Sequence, residues 1–200
     1  MSEPRNPIVD LFVEDQAHEQ FIRSMAERVL VESGKRPKVR VRNARGGHGR
    51  VLDELELYQK TVKREPGTKP DILVVAIDCN CKRFGPMVSE IKKRIEDGLF
   101  PRVVPACPDP HIERWYMADP ESFQGVVGRT PPGLKRKCER ERYKKMLVKT
   151  LEQAGHPVTM GGIEFAPDLV SAMDLFRAGK HLADLRHFLD GLRDAAASLP

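Results

Sequence analysis

Asp71-Ile72-Leu73-Val74-Val75-Ala76-Ile77-Asp78 decides the fold. Between its two aspartates stand five large aliphatic residues and one alanine. A strand with one wet face alternates apolar and polar side chains, whereas one apolar on both faces belongs in the centre of a sheet covered by helices. Upstream, Ile8-Val9-Asp10-Leu11-Phe12-Val13 is a second apolar run rich in β-branched residues, read as a buried strand with Glu14 at its carboxyl end. A helix follows from about Ala17 to about Ser33, with Phe21, Met25, Val29 and Leu30 on one face and Gly34 as its stop. Val39-Arg40-Val41-Arg42 alternates and suits a strand with one buried face. After the glycine-rich basic loop Arg45-Gly46-Gly47-His48-Gly49, a second helix carries Leu52, Leu55 and Tyr58 and ends before Pro66-Gly67.

Downstream of the central strand, a third helix is predicted from about Met87 to Asp97, with Gly98 ending it. Arg102-Val103-Val104-Pro105-Ala106 is a fourth strand, and Pro105 puts it at a sheet edge. Strand and helix thus alternate, which predicts an α/β, Rossmann-like, mainly parallel sheet with helices on both faces. The remainder reads as helical: a short helix over His111–Ala118 with the only tryptophan, a turn at Thr130-Pro131-Pro132-Gly133, and helix from about Leu134. Tyr143, Met146, Leu147 and Leu151 share one face there, and a last helix spans about Lys180 to Ala196. Residues 1–128 are therefore read as an α/β domain and 129–200 as a helical extension packed on it.

Forty per cent hydrophobic and 32% charged residues are ordinary for a globular chain of 200 residues. The amino terminus has no apolar signal core, and no apolar run approaches the roughly 18 residues of a membrane span. Cys79, Cys81, Cys107 and Cys138 have neither zinc-like spacing nor a disulfide framework, so reduced thiols in a cytoplasmic protein are expected. Lys and Arg total 34 against 29 Asp and Glu, a modest excess. The distribution says more: basic residues cluster at 35–42, at Lys82-Arg83 and at Lys135-Arg136-Lys137. Such runs are solvated faces in most proteins and nucleic-acid surfaces in some.

Sites in open parallel sheets form outside the carboxyl ends of the strands. Glu14 follows the first strand, Asp78 ends the central one, and Asp109 and Glu113 follow the fourth. Residues far apart in sequence thereby converge on one rim. Clustered carboxylates repel one another, and a hard divalent cation relieves the repulsion. Each also has a plain structural reading: Glu14 as a charge at a helix amino terminus, Asp78 as a turn former, Glu113 as a solvent-facing helix residue, Asn80 as the cap of a turn, and His18 and Glu19 as surface positions of the first helical turn.

Leu11-Phe12-Val13-Glu14-Asp15 with Ala17-His18-Glu19 resembles the first motif of Toprim domains, in which a strand ends in Glu and runs into a helix. Val74-Val75-Ala76-Ile77-Asp78-Cys79-Asn80 resembles the second, a strand ending in Asp-x-Asp. Pro108-Asp109-Pro110-His111-Ile112-Glu113-Arg114-Trp115-Tyr116 is similar to a segment of Toprim-like nucleases, relatives of the overcoming-lysogenization-defect nucleases and of small phage-defence proteins. The resemblance covers roughly the first 120 residues. It implies an Mg²⁺- or Mn²⁺-dependent nuclease, the effector of an antiviral defence complex with an ATPase partner, with self-association also admitted. It assigns catalysis to Glu14, Asp78 and Glu113, and metal binding to these three and Asn80. Asn80 stands where the family has the second acidic residue, and Asp15 where it has glycine. Either Glu113 or Asp109 compensates, or one ion binds firmly, or the protein is an inactive nucleic-acid-binding subunit. Contacts to DNA or RNA then fall on Arg45, His48, Lys82, Arg83, Lys135, Arg136 and Lys137, with Arg140 and Arg142 further off, and either His18 or His48 serves proton transfer.

Overall fold

The structure is a computed structural model describing residues 6–43, 48–139 and 141–199. Its sheet contains four strands, β1 (Ile8–Val13), β2 (Lys38–Asn43), β3 (Ile72–Ala76) and β4 (Val103–Ala106), all parallel, in the order β2-β1-β3-β4. β3 is central and every one of its residues is buried, as its two-sided apolar sequence requires. β4, with Pro105, forms an edge.

The connecting helices cover both faces. α1 (Gln16–Glu32) packs on the face lined by Val9, Leu11, Val13, Ile72, Val74 and Ala76. α2 (His48–Arg64) and α3 (Phe84–Arg94) cover the opposite face of Phe12, Leu73, Val75 and Ile77. Burying each such aliphatic side chain stabilises the fold by about 1.5–3 kcal/mol. α3 begins and ends about three residues earlier than its sequence suggests.

The later helices are α4 (Glu113–Tyr116), α5 (Pro120–Val127), α6 (Arg142–Gln153), α7 (Ala166–Ala172), α8 (Leu175–His181) and α9 (Ala183–Ala197). α7 and α9 pack on α1, and α9 also covers β4, so their side chains belong to the same core as α1. Gly191 allows that approach: a Cβ there would lie 3.1 Å from Val104 Cγ1. An ion pair between half-buried Arg177 and buried Asp119, at 2.6 and 2.9 Å, ties α8 to the start of α5. Among the described residues no helix is long and apolar enough to cross a membrane.

Two helix readings need correction. Residues 134–139 have no regular secondary structure, and α6 starts only at Arg142. Their backbone groups are satisfied from elsewhere in the fold: the Tyr143 hydroxyl accepts from Lys137 N–H at 2.9 Å and donates to the Lys135 carbonyl at 2.8 Å, while Arg114 Nε donates to the Leu134 carbonyl at 3.1 Å. The last helix, α9, starts at Ala183 and not at about Lys180, because the extended backbone of Leu182 (φ −127°, ψ 106°) separates it from α8.

Cysteine usage also differs from expectation. Cys81 and Cys138 form a disulfide between the loop after β3 and the irregular 134–139 segment. Cys79 and Cys107 are free and buried, and burial pushes both thiols far above their ordinary pKa.

Candidate metal centre

The strand order makes a crevice between β1 and β3. From β1 the chain crosses to β2 on one side, while β3 and β4 lie on the other, so the connections diverge there. The register pairs Val13 with Ala76, which sets Glu14 beside the exit of β3. Glu14 N–H donates to the Ala76 carbonyl at 3.2 Å, and Glu14 Oε2 accepts from Asp78 N–H at 3.1 Å.

Asp15 caps α1: its Oδ1 accepts from His18 N–H at 3.0 Å and from His18 Nδ1 at 2.8 Å. The cap turns the His18 ring inward, where it is 0% exposed. His18 is therefore not the surface residue its place in the first helical turn suggests. The Tyr116 hydroxyl donates to the Ala17 carbonyl at 2.8 Å and pins the same turn to α4. His18 Nε2 lies 3.0 Å from Asp78 Oδ1, in ion-pair range but without hydrogen-bond alignment, so both buried atoms lack a hydrogen-bond partner.

Beyond the strands, the loops after β3 and β4 run side by side: Cys79 N–H donates to the Pro108 carbonyl and Asn80 N–H to the Pro110 carbonyl, at 2.8 and 2.9 Å. This pairing brings His111 over the site, with Nδ1 3.1 Å from Asp78 Oδ2. Asp78 therefore stands between two imidazoles, in a chain running Asp15, His18, Asp78, His111. Ligand atoms of Glu14, His18 and Asp78 all lie within 4.8 Å of one another.

The electrostatics follow from burial and proximity. Burial pushes the Glu14 carboxyl up, and the neighbouring Asp78 charge adds to this against the opposing pull of His18. Burial also acts on Asp78, but His18 and His111 outweigh it and hold this carboxyl below its usual range. Asp15 is likewise held at about 2, since its bond to His18 overcomes its own desolvation. His18 is desolvated too, yet Asp78 and Asp15 raise its pKa well above 6.5. Asp78 raises that of His111, chiefly through their hydrogen bond. The crevice is thus built to hold positive charge between carboxylates.

Of the residues expected here, Glu14 and Asp78 come together. Glu113 opens α4 outside the group gathered within 4.8 Å. Its carboxyl is pushed up by burial and then by the Asp78 charge. Asn80 is exposed, and its Nδ2 turns back towards the Asp78 carbonyl at 3.4 Å. Asp109 is engaged by Arg136 Nε at 2.6 Å. His111 carries no local signal of its role. Its partner lies 33 residues away, and only the paired loops reveal the contact.

The basic residues divide. Arg136 is an internal tether, also donating to the Lys82 carbonyl at 3.2 Å, and not a free phosphate contact. Lys82 is exposed but paired with Glu90 at 2.7 Å. Arg83 begins α3 and is exposed. Lys135 and Lys137 are exposed on the segment that the Cys81–Cys138 disulfide holds against the Lys82 loop. Arg142 pairs with Glu139 at 2.8 Å. Arg45, Arg140 and the side chain of His48 lie outside the described residues.

A family model described as a domain of unknown function, DUF4276, matches residues 13–193. No curated protein and no solved structure matches. The match spans most of the chain, which therefore belongs to the DUF4276 family.

Proposed function

We propose that this DUF4276 member is a divalent-metal-dependent nuclease that hydrolyses phosphodiesters of DNA or RNA, with Glu14 and Asp78 as its metal-binding carboxylates. One observation carries the reading: the two side chains meet at the diverging carboxyl ends of β1 and β3, where parallel sheets of this kind bind ligands. The residues fit a cation, because the buried Asp78 Oδ1 has no hydrogen bond and the surrounding donors are carboxylates and imidazole. A cation such as Mg²⁺ or Mn²⁺, when bound, supplies Lewis acidity towards a phosphate and lowers the pKa of water.

The chain's own groups supply orientation and charge. Asp15 fixes the His18 ring, and Glu14 fixes the Asp78 backbone. Arg83 and Lys135 are exposed, Lys82 is paired with Glu90 and Lys137 lies 3.8 Å from Glu139; exchanged onto a phosphate backbone, these cations would hold it without reading its sequence. The Toprim-like pattern of the first 120 or so residues is consistent with an effector role in a defence complex.

Purified protein with Mn²⁺ or Mg²⁺ is expected to cut DNA or RNA, and Glu14→Gln and Asp78→Asn are expected to abolish cutting. Equal cutting by wild type and both variants would remove the assignment.

A second reading, nucleic-acid binding without cleavage, is favoured by the exposed, backbone-turned Asn80, which offers no second carboxylate. It expects no cutting with any divalent ion, but binding that weakens steeply with salt.

A further inference from the structure

We propose that His18 is a nitrogen ligand of this centre, oriented by Asp15, and that it makes the site selective for a first-row transition cation, Mn²⁺ or a later metal, over Mg²⁺. The inference rests on the metal-dependent reading above and goes beyond it in naming a ligand and a class of metal.

Three observations carry it. First, His18 is 0% exposed, and its Nε2 has no hydrogen-bond partner among the described residues. A buried ring nitrogen left this way is costly unless something else occupies it. Second, that nitrogen is aimed at the centre: it lies 3.0 Å from Asp78 Oδ1, with Glu14 completing a group within 4.8 Å. Neighbouring donors on one octahedral cation with bonds of 2.0–2.1 Å sit about 3 Å apart. Third, the opposite ring nitrogen is tied to a carboxylate, His18 Nδ1 to Asp15 Oδ1 at 2.8 Å. A carboxylate on the far nitrogen of a ligating histidine sets its tautomer and ring orientation, and strengthens it as a donor. Here the same carboxylate caps α1, so the helix start and the ring orientation are fixed by one side chain.

The choice of metal follows from ligand chemistry. Mg²⁺ prefers oxygen donors and keeps much of its water, whereas imidazole suits the transition metals. The second carboxylate of an Asp-x-Asp pair would have supported an all-oxygen Mg²⁺ site. This chain carries Asn80 there, exposed and turned onto its own backbone, and places an imidazole within the crevice. Asp15 is a positioning residue in this scheme, and His111, whose Nδ1 meets the other oxygen of Asp78, lies outside the group that Glu14, His18 and Asp78 form.

The test is Mn²⁺ binding to the full chain followed by electron paramagnetic resonance, with electron spin echo modulation reporting nitrogen bonded to the ion. Wild type is expected to show one coordinated nitrogen whose modulation changes when only the histidine rings carry ¹⁵N. Mg²⁺ should displace Mn²⁺ only at about tenfold excess or more. His18→Gln should lose the nitrogen signal and bind Mn²⁺ about 100-fold more weakly. Asp15→Asn should keep the signal and lose about tenfold. His111→Gln should leave the signal in place, and circular dichroism verifies that each variant is folded. Bound Mn²⁺ without nitrogen modulation in wild type would overturn the inference and leave a carboxylate-held metal standing. So would a signal lost in His111→Gln but kept in His18→Gln, or displacement by equimolar Mg²⁺. If wild type binds neither ion, the metal-dependent reading falls as well. If His18→Gln does not fold, histidine-ring ¹⁵N modulation in wild type together with its persistence in His111→Gln still decides the matter, since His18 is the one histidine grouped with Glu14 and Asp78 among the described residues.

Discussion

The backbone N–H of Asp78 donates to Glu14 Oε2 at 3.1 Å, a bond that spans 64 positions of sequence. It couples the exits of two adjacent parallel strands, so the Glu14 carboxylate both shapes the β3 loop and offers an oxygen to the crevice. The two roles can be separated by substitution.

Glu14→Ala removes the acceptor and the ligand together, whereas Glu14→Gln keeps a carbonyl oxygen for Asp78 N–H. Cleavage should fall by about 100-fold or more in both. Unfolding stability should drop by about 1–2 kcal/mol in Glu14→Ala and by much less in Glu14→Gln. Cleavage rates and urea melts on the same samples check this, and full activity of Glu14→Gln would count against a metal-ligand role.

Cys81 and Cys138 join positions 57 residues apart. The chain-entropy estimate for such a loop is about 4 kcal/mol, and about 2–4 kcal/mol is commonly realised. Dithiol reduction, or Cys81→Ser with Cys138→Ser, should lower stability by that amount. It should also weaken nucleic-acid binding, since the segment bearing Lys135 and Lys137 loses its anchor to the Lys82 loop. Unchanged urea midpoints with and without reductant would refute the first part.

Arg177 and Asp119 provide a pH test. Burial pushes the Asp119 carboxyl up, but bonds to Arg177, Ser122 and the Asp174 backbone outweigh it and hold the pKa at about 2, against an ordinary 3.8. The unfolded chain therefore binds this proton more tightly. The stabilisation is fully present above about pH 4 and is lost as pH falls towards 2. Arg177→Met should destabilise the protein at pH 7, because the buried Asp119 carboxylate loses its charged partner. The difference from wild type should narrow between pH 4 and 2, which urea melts across that range would measure. Asp15 is also held at about 2, so it titrates in the same window, but it does so in both proteins and cancels. A difference that stays constant with pH would show that this carboxylate does not carry the effect.

The lysines beside the crevice should behave unlike Arg136. Lys135→Ala and Lys137→Ala should weaken binding to any nucleic-acid sequence alike and each reduce the slope of log affinity against log salt by about one. Arg136→Ala should instead lower stability, because Asp109 and the Lys82 carbonyl lose their donor. Fluorescence anisotropy at several salt concentrations, paired with melts, distinguishes the two classes.

Much of the sheet is legible in local pattern. The β3 segment has no polar side, so it could only be central, and Pro105 places β4 at an edge. Glu14 and Asp78 could be singled out because each ends an apolar run, and parallel strands align their carboxyl ends. Where the reading failed, distant partners decided the structure. Residues 134–139 carry helix-compatible side chains, but Tyr143, Arg114 and Cys81 hold them out of a helix. Nothing near His18 in sequence announces that its ring is buried, because Asp78 and Tyr116 lie 60 and 99 positions from their contacts in this turn, at His18 and Ala17.

Sequence alone determined which segments are strands, that they run parallel beneath two layers of helix, and which two carboxylates stand at the rim. These follow from hydrophobic periodicity and from the one-way connections of alternating strands and helices, both of which act along the chain. Only the tertiary structure decided that His18 and His111 flank Asp78, that Cys81 is bonded to Cys138, and that Arg136 serves Asp109 instead of solvent. Short-range polar contacts are chosen by proximity after the helices have packed, and no local pattern encodes which partner will arrive.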